Sequence, residues 1–237
     1  MHRRSLITSV CLFFLFHLSL VGIAEAQRTC RILFIGAAKG APKELVLFDG
    51  EGYQEVELPK MNFSPVYKLP AGDISLRLLT KQPETPEQIP AGAPGVEVAE
   101  GIGDFYLLIS NDPKNKVIPV AMKVVDADPG KFRRGEMLWF NLTENRIGGK
   151  LGSEKFDLKP HSRQISKAPI NEAGQFPVEL YFLMPGKEDI WPLCETKWIH
   201  NPNGRVVMFV ISEKGVRVPR LMGFPDFRQE EKREEGG

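Results

Sequence analysis

From residue 28 onward the chain is a succession of short runs in which apolar and polar residues alternate, separated by Gly, Pro, Asn and Asp. Successive side chains of a β-strand point to opposite faces, so this pattern predicts strands with one buried face. Helical periodicity is hardly present, and the sequence therefore predicts an all-β fold. The predicted strands of the first half are Thr29–Ile35, Glu44–Phe48, Gln54–Leu58, Phe63–Leu69, Asp73–Leu79, Gly95–Ala99, Asp104–Ile109 and Val117–Val125. Those of the second half are Glu136–Leu142, Ile147–Leu151, Lys155–Leu158, Ser162–Lys167, Phe176–Leu183, Leu193–Ile199, Arg205–Ile211 and Gly215–Leu221.

The two halves agree in the order and spacing of these strands. Arg31–Phe34 aligns with Glu136–Trp139, and Phe105–Ser110 aligns with Val207–Ser212, at a spacing of about 100 residues. We interpret this as two tandem antiparallel β-sandwich repeats, immunoglobulin-like or transthyretin-like, over residues 27–128 and 129–227. The alternative is a chance alignment, since the alternating runs of any all-β chain can be shifted until they match. The second half also carries the aromatic-rich segment Pro185–Gly204.

The first 26 residues have the pattern of a secretory signal. Arg3 and Arg4 precede an apolar run, Val10–Ile23, and small residues stand at Ala24 and Ala26. The run is shorter than the roughly 20 residues that cross a bilayer, so we predict cleavage after Ala26 and an exported protein that is periplasmic, cell-surface or extracellular. No later stretch is long enough for a transmembrane anchor. The apolar-free residues 228–237 predict a disordered charged tail.

Charge argues against nucleic acid as a partner. Removing Arg3, Arg4 and Glu25 from the chain's 31 basic and 30 acidic residues leaves 29 of each. A net charge of zero supplies no long-range field to attract a polyanion. The partner that we expect is therefore a protein or a glycan.

Two cysteines, Cys30 and Cys194, remain after signal removal. In an oxidising compartment they are a possible disulfide, and the alternative is that both are small buried side chains. His200 follows Cys194 in the sequence and could meet it only through the fold, so a thiol nucleophile is disfavoured. Catalytic, cofactor and metal sites are predicted to be absent, although a hydrolase using two carboxylates has no local signature.

Two further features are candidate binding sites. Asp126 and Asp128 have the spacing of clustered calcium ligands, with a hydrophilic linker as the alternative. Trp191, Trp198 and Tyr181 are aromatic side chains in one region of the second half, where exposed rings could stack on a sugar or a partner. Of the three, Trp191 is predicted to be the most exposed, and Trp198 is predicted to be closer to the core.

The segment Tyr67–Arg77 contains an apolar strand, a Leu-Pro-Ala-Gly turn and an alternating strand. In this it resembles exported bacterial transthyretin-like and carboxypeptidase-regulatory-like β-sandwich modules. The resemblance covers about a dozen residues, is absent from the second half and implies a non-catalytic accessory role, with no functional residue to carry over. The sequence thus predicts an exported binding or structural module. The alternatives are a carbohydrate-active protein and a subunit of an extracellular assembly.

Overall fold

The computed structural model describes residues 28–213 and 215–227. The predicted secretory signal and charged tail lie outside the described residues. The strands of the first half are β1 (Arg28–Ile35), β2 (Glu44–Phe48), β3 (Tyr53–Glu57), β4 (Tyr67–Leu69), β5 (Ile74–Leu79), β6 (Gly95–Val98), β7 (Asp104–Asn111) and β8 (Val120–Asp126). Those of the second half are β9 (Glu136–Asn141), β10 (Arg146–Leu151), β11 (Glu154–Leu158), β12 (Arg163–Lys167), β13 (Gly174–Leu183), β14 (Ile190–His200), β15 (Arg205–Ile211) and β16 (Arg220–Asp226). Within these residues one short 3-10 turn, Pro86–Gln88, is the helical element, and no helix there has the length and apolar character needed to cross a membrane.

The strands form four four-stranded sheets in two pairs, which confirms the predicted all-β sandwich fold. In the first sheet pair the orders are β4-β1-β7-β8 and β3-β2-β5-β6. In the second sheet pair they are β12-β9-β15-β16 and β11-β10-β13-β14. Adding eight to each strand of the first pair reproduces the second, including one parallel contact in each (β1 with β7, β9 with β15) among otherwise antiparallel neighbours. The two sheet pairs are therefore repeat-like.

The two sheets that contain the parallel contacts pack against each other, so we name them the inner sheets and the remaining two the outer sheets. Each sheet pair has its own apolar core between its inner and outer sheet. A third, middle core lies between the inner sheets, and its buried residues include Leu33, Leu108, Phe140 and Phe209. The four sheets thus stack in layers, and both inner sheets are buried on two faces.

One buried carboxylate joins the two halves across the middle core. Asp226, at the end of β16, accepts hydrogen bonds from Arg31 of β1, Tyr106 of β7 and Arg205 of β15. The Asp226 side chain is fully buried, and those of Arg31 and Arg205 are 15% and 6% exposed. Arg205 also donates to the backbone oxygen of Ala127, at 2.7 Å. Burial, followed by the nearby Asp226 charge, raises the pKa of Tyr106, so its hydroxyl stays a donor.

Gly148-Gly149, although a pair typical of hairpin turns, lies inside the predicted strand at β10, where each residue pairs with both β11 and β13. Two local details differ from the predictions. The last strand was predicted at Gly215–Leu221 and lies at Arg220–Asp226, an edge position that tolerates its internal Gly and Pro. The turn at Pro70–Asp73 does not reverse the chain within a sheet, because β4 belongs to the inner sheet and β5 to the outer sheet.

The alignment of Phe105 with Val207 is off by one residue. Phe105 points into the core of its own sheet pair, whereas Val207 points into the middle core. The backbone oxygens of Gly103 and Gly204 accept matching hydrogen bonds next to the starts of β7 and β15, which makes Val206 the counterpart of Phe105. A one-residue slip moves every side chain to the other face, and the two-faced burial of these strands hid the error.

Candidate binding cleft

A cleft of about 850 Å³ lies at one side of the second sheet pair. Its walls are the two edge strands on that side, β14 of the outer sheet and β16 of the inner sheet. In the first sheet pair the equivalent edge strands, β6 and β8, contact each other. The same fold is therefore closed in the first half and open in the second.

The residues of β16 explain part of the opening. Gly223 pairs with Met208 of β15, in the position where Val124 of β8 pairs with Leu107 of β7. Val124 packs against the core of the first sheet pair. Gly223 has no side chain to do this, and the Met208 side chain occupies the space beside it, with its sulfur 2.9 Å from where a Cβ would stand. With Gly223 in place of a valine, the edge of the second sheet pair has less side-chain volume than the edge of the first.

The floor of the cleft is apolar. It is lined by side chains that also pack on the core of the second sheet pair, among them Phe176, Leu193, Trp198, Val206, Met208 and Leu221. The half-buried Trp198 ring is held in place by stacking on Trp139, with ring centroids 5.8 Å apart. Ile199 and Phe227, which are 78% and 60% exposed, also line the cleft. Apolar surface thus runs from the floor to the solvent.

The polar groups of the cleft are few and mostly neutral. Burial lowers the pKa of His200, which favours the uncharged imidazole, and burial raises the pKa of the Cys194 thiol, which favours the protonated form. Glu136 accepts a hydrogen bond from the Arg133 backbone, and Lys197 is exposed. The cleft therefore offers an uncharged, apolar interior with charge near its mouth.

Cys194 and His200 line the same cleft, as a thiol–imidazole pair would require. They stand six residues apart on the single strand β14, which corresponds to about 20 Å of extended chain. That distance is far beyond hydrogen-bond reach, and the raised pKa of Cys194 opposes thiolate formation. In this structure the two side chains are therefore too far apart to act as a nucleophile and its base.

The three aromatic residues predicted as a binding surface lie in three different settings. Trp198 lines the cleft. Trp191 is half-buried against the second core, and the guanidinium of Arg217 lies 3.8 Å from its ring centroid, so it is not an open platform. Tyr181 borders a separate, shallow site with Arg146 on the outer sheet. That any of these rings binds a ligand stays a prediction.

The two cysteines are not joined by a disulfide. Cys30 is buried in the core of the first sheet pair, and Cys194 is half-buried beside the core of the second. Two layers of inner sheet and the middle core separate these positions, which is the physical reason that no bridge forms. The alternative interpretation, small side chains inside the fold, describes Cys30 fully and Cys194 in part.

The aspartates of the linker are engaged within the protein. Asp126 accepts a hydrogen bond from the Asp128 backbone and pairs with Lys131, and Asp128 accepts one from the Gly130 backbone at 2.6 Å. These contacts fit the hydrophilic-linker interpretation. Among the described residues no group of three or more His, Cys, Asp or Glu has the arrangement of a metal site.

Compared with protein-family models and with curated proteins, this sequence gives no match.

Proposed function

We propose that the protein is an exported, non-catalytic binding module whose ligand site is the cleft between β14 and β16. The observation that carries the proposal is that this side of the sandwich is open and apolar in the second sheet pair and closed in the first. Its volume of about 850 Å³ lies in the range of small-molecule sites, which are concave and mostly apolar with a few polar groups. The chemistry of the lining favours an apolar ligand.

The proposal of a binding role instead of a catalytic one is supported by the polar groups. The lowered pKa of His200 and the raised pKa of Cys194 favour their neutral forms, and the two side chains are too far apart to act together. Glu136 is the acidic side chain of the lining, so the cleft does not bring together the two carboxylates that a glycosidase uses. What the cleft provides is apolar contact area.

The test is a titration of the exported chain, residues 27–237, with the uncharged dye Nile red, whose emission shifts to the blue in apolar surroundings. We expect saturable binding by the native protein. Ile199→Glu places a charge in the lining at a side chain that is 78% exposed, so folding is unaffected. This variant should weaken binding about fivefold to tenfold, because apolar contact is lost. The matched control is Ile165→Glu on β12, an exposed residue outside the cleft.

Gly223→Val provides a second variant, because it restores the side chain type that the first sheet pair has at Val124. The added side chain has to displace the flexible end of Met208, and it should fill part of the cleft and reduce dye binding. A native protein that does not bind the dye, or equal binding by the native protein, Ile199→Glu and Gly223→Val, would contradict the proposal.

A second candidate function, glycan binding, is favoured by the setting of Tyr181. Its ring lies across Gly148 of β10, where a Cβ would stand 2.6 Å from the ring atoms. Beside it Arg146 and Asp157 form an exposed bidentate ion pair, at 2.7 and 2.8 Å, that could hydrogen-bond to hydroxyl groups. A glycan array comparing the native protein with Tyr181→Ala tests this candidate, and no glycan retained by the native protein would rule it out.

A further inference from the structure

β14 is an edge strand with an unused backbone edge. It has eleven residues, it ends the order of the second outer sheet, and within the described part of the chain no strand pairs with its second edge. An exposed edge of this length presents a row of unpaired N–H and C=O groups that can accept another strand. Proteins usually protect such edges with charges, prolines and β-bulges. β14 has Pro192 and a bulge at Leu193 near its start, and two exposed charges, Glu195 and Lys197, beyond them.

These two charges are arranged for pairing with an identical strand. When two copies of β14 run antiparallel with the two-fold axis at Thr196, Glu195 of each copy stands opposite Lys197 of the other. Opposite charges directly across an antiparallel pair are stabilising. In the same register Cys194 stands opposite Trp198, and the regular part of the strand ends at a β-bulge at Leu193.

Neighbouring registers lose this complementarity. A sheet that keeps its inner and outer faces can shift only so that the axis moves to the next residue. With the axis at Glu195, the two copies of Glu195 oppose each other, and with the axis at Lys197 the two lysines do. Like charges directly opposite are destabilising, so the charges select the register centred on Thr196.

We propose that the protein self-associates through β14, with a second copy of this chain as the partner, so that the two outer sheets form one continuous eight-stranded sheet. The matched segment from Cys194 to Trp198 spans about 14 Å. The bulge at Leu193 and Pro192, which has no N–H, lie beyond it. An interface of one strand pair is smaller than the roughly 1,000 Å² of a stable complex, so the dimer is weak. The paired strand is also one wall of the cleft, but the inference does not depend on which ligand the cleft takes.

The experiment is sedimentation velocity on the exported chain from low micromolar to near-millimolar concentration. We expect the native protein to change from monomer to dimer across this range. Lys197→Glu places four carboxylates along the shared edge, and Glu195→Lys places four ammonium groups there, so each variant alone should stay monomeric. An equimolar mixture of the two variants restores opposite charges across the axis and should dimerise again.

The mixture and a control make the outcome decisive. Both substituted side chains are exposed, so neither change should alter folding, which far-UV circular dichroism verifies. The control is Lys155→Glu on β11, an exposed residue at the opposite edge of the same sheet, which should dimerise like the native protein. A native protein that is monomeric at every concentration would overturn the proposal. So would variants that dimerise alone, or a mixture that does not. Nile red binding by dilute monomer separates this result from the test of the cleft.

Discussion

Replacing Asp226 by Asn should uncouple the two sheet pairs. The change keeps the size of the side chain and removes one negative charge that lies between Arg31 and Arg205. The amide still offers one acceptor oxygen, but its NH₂ group then faces donor groups. Breaking a buried ion pair by removing one partner costs about 3 to 5 kcal/mol, because the remaining charge stays buried. For Arg205 the carboxylate of Asp104, at 3.6 Å, offsets part of this loss.

The assay is urea unfolding observed by two signals. All three tryptophans lie in the second sheet pair, so their fluorescence reports on that half, whereas far-UV circular dichroism reports on all four sheets. With a slope of about 2 kcal/mol per molar urea, a loss of about 4 kcal/mol moves the midpoint by about 2 M. In the native protein the two signals should change together, since the middle core ties the halves into one unit.

The control is Asp157→Asn, which removes the exposed ion pair with Arg146 and should cost less than about 1 kcal/mol. If Asp226→Asn lowers the midpoint no more than Asp157→Asn does, the buried carboxylate does not stabilise the contact between the halves. The reasoning from burial would then be wrong.

Three further measurements test other parts of the structure. Burial lowers the pKa of His200 in the folded protein, whereas in the unfolded chain His200 takes up a proton near its ordinary pKa of 6.5. The free energy of unfolding should therefore fall as the pH drops below about 6.5. Urea titrations at several pH values should show that His200→Gln flattens this dependence. Gly149→Ala should lower the stability measured by thermal unfolding by about 3 kcal/mol or more, because φ is +144° and the added Cβ would stand 1.9 Å from a carbonyl oxygen of β13. The control is Gly186→Ala, where φ is +67° and the space is open, and it should cost about 1 kcal/mol. In a protein made as residues 27–237, Ellman's reagent in denaturant without reductant should count two thiols, Cys30 and Cys194, and a count of zero would indicate a bridge.

Most of the fold could be predicted because alternation is a local signal. The β2–β3 hairpin, for example, is visible in Asp49-Gly50-Glu51-Gly52, where the Asp49 side chain accepts hydrogen bonds from the backbone of Glu51 and Gly52. The last strand was misplaced because Gly223 and Pro225 disguise it, and such residues are tolerated only at an edge.

The layered packing had a sequence signal that the alternation analysis did not use. Ile32–Ile35 and Val207–Val210 are unbroken apolar runs, which is typical of strands with two buried faces. No sequence signal predicted the cleft, because the cleft arises from the strand register that sets Gly223 beside Met208. Likewise, the cover over Trp191 comes from Arg217 in a loop distant in sequence, and no local pattern predicts that contact.

Because of the middle core, neither half of this chain should be soluble when it is produced without the other. Cutting the protein near Pro129 would expose Leu33 and Leu108 in one fragment and Phe140 and Phe209 in the other. Each fragment would then present a large apolar surface to water. When they are expressed separately, the fragments should aggregate, and when they are mixed they should associate. The two repeat-like sheet pairs therefore depend on each other for burial, and a soluble single half requires polar substitutions on the face that the middle core covers.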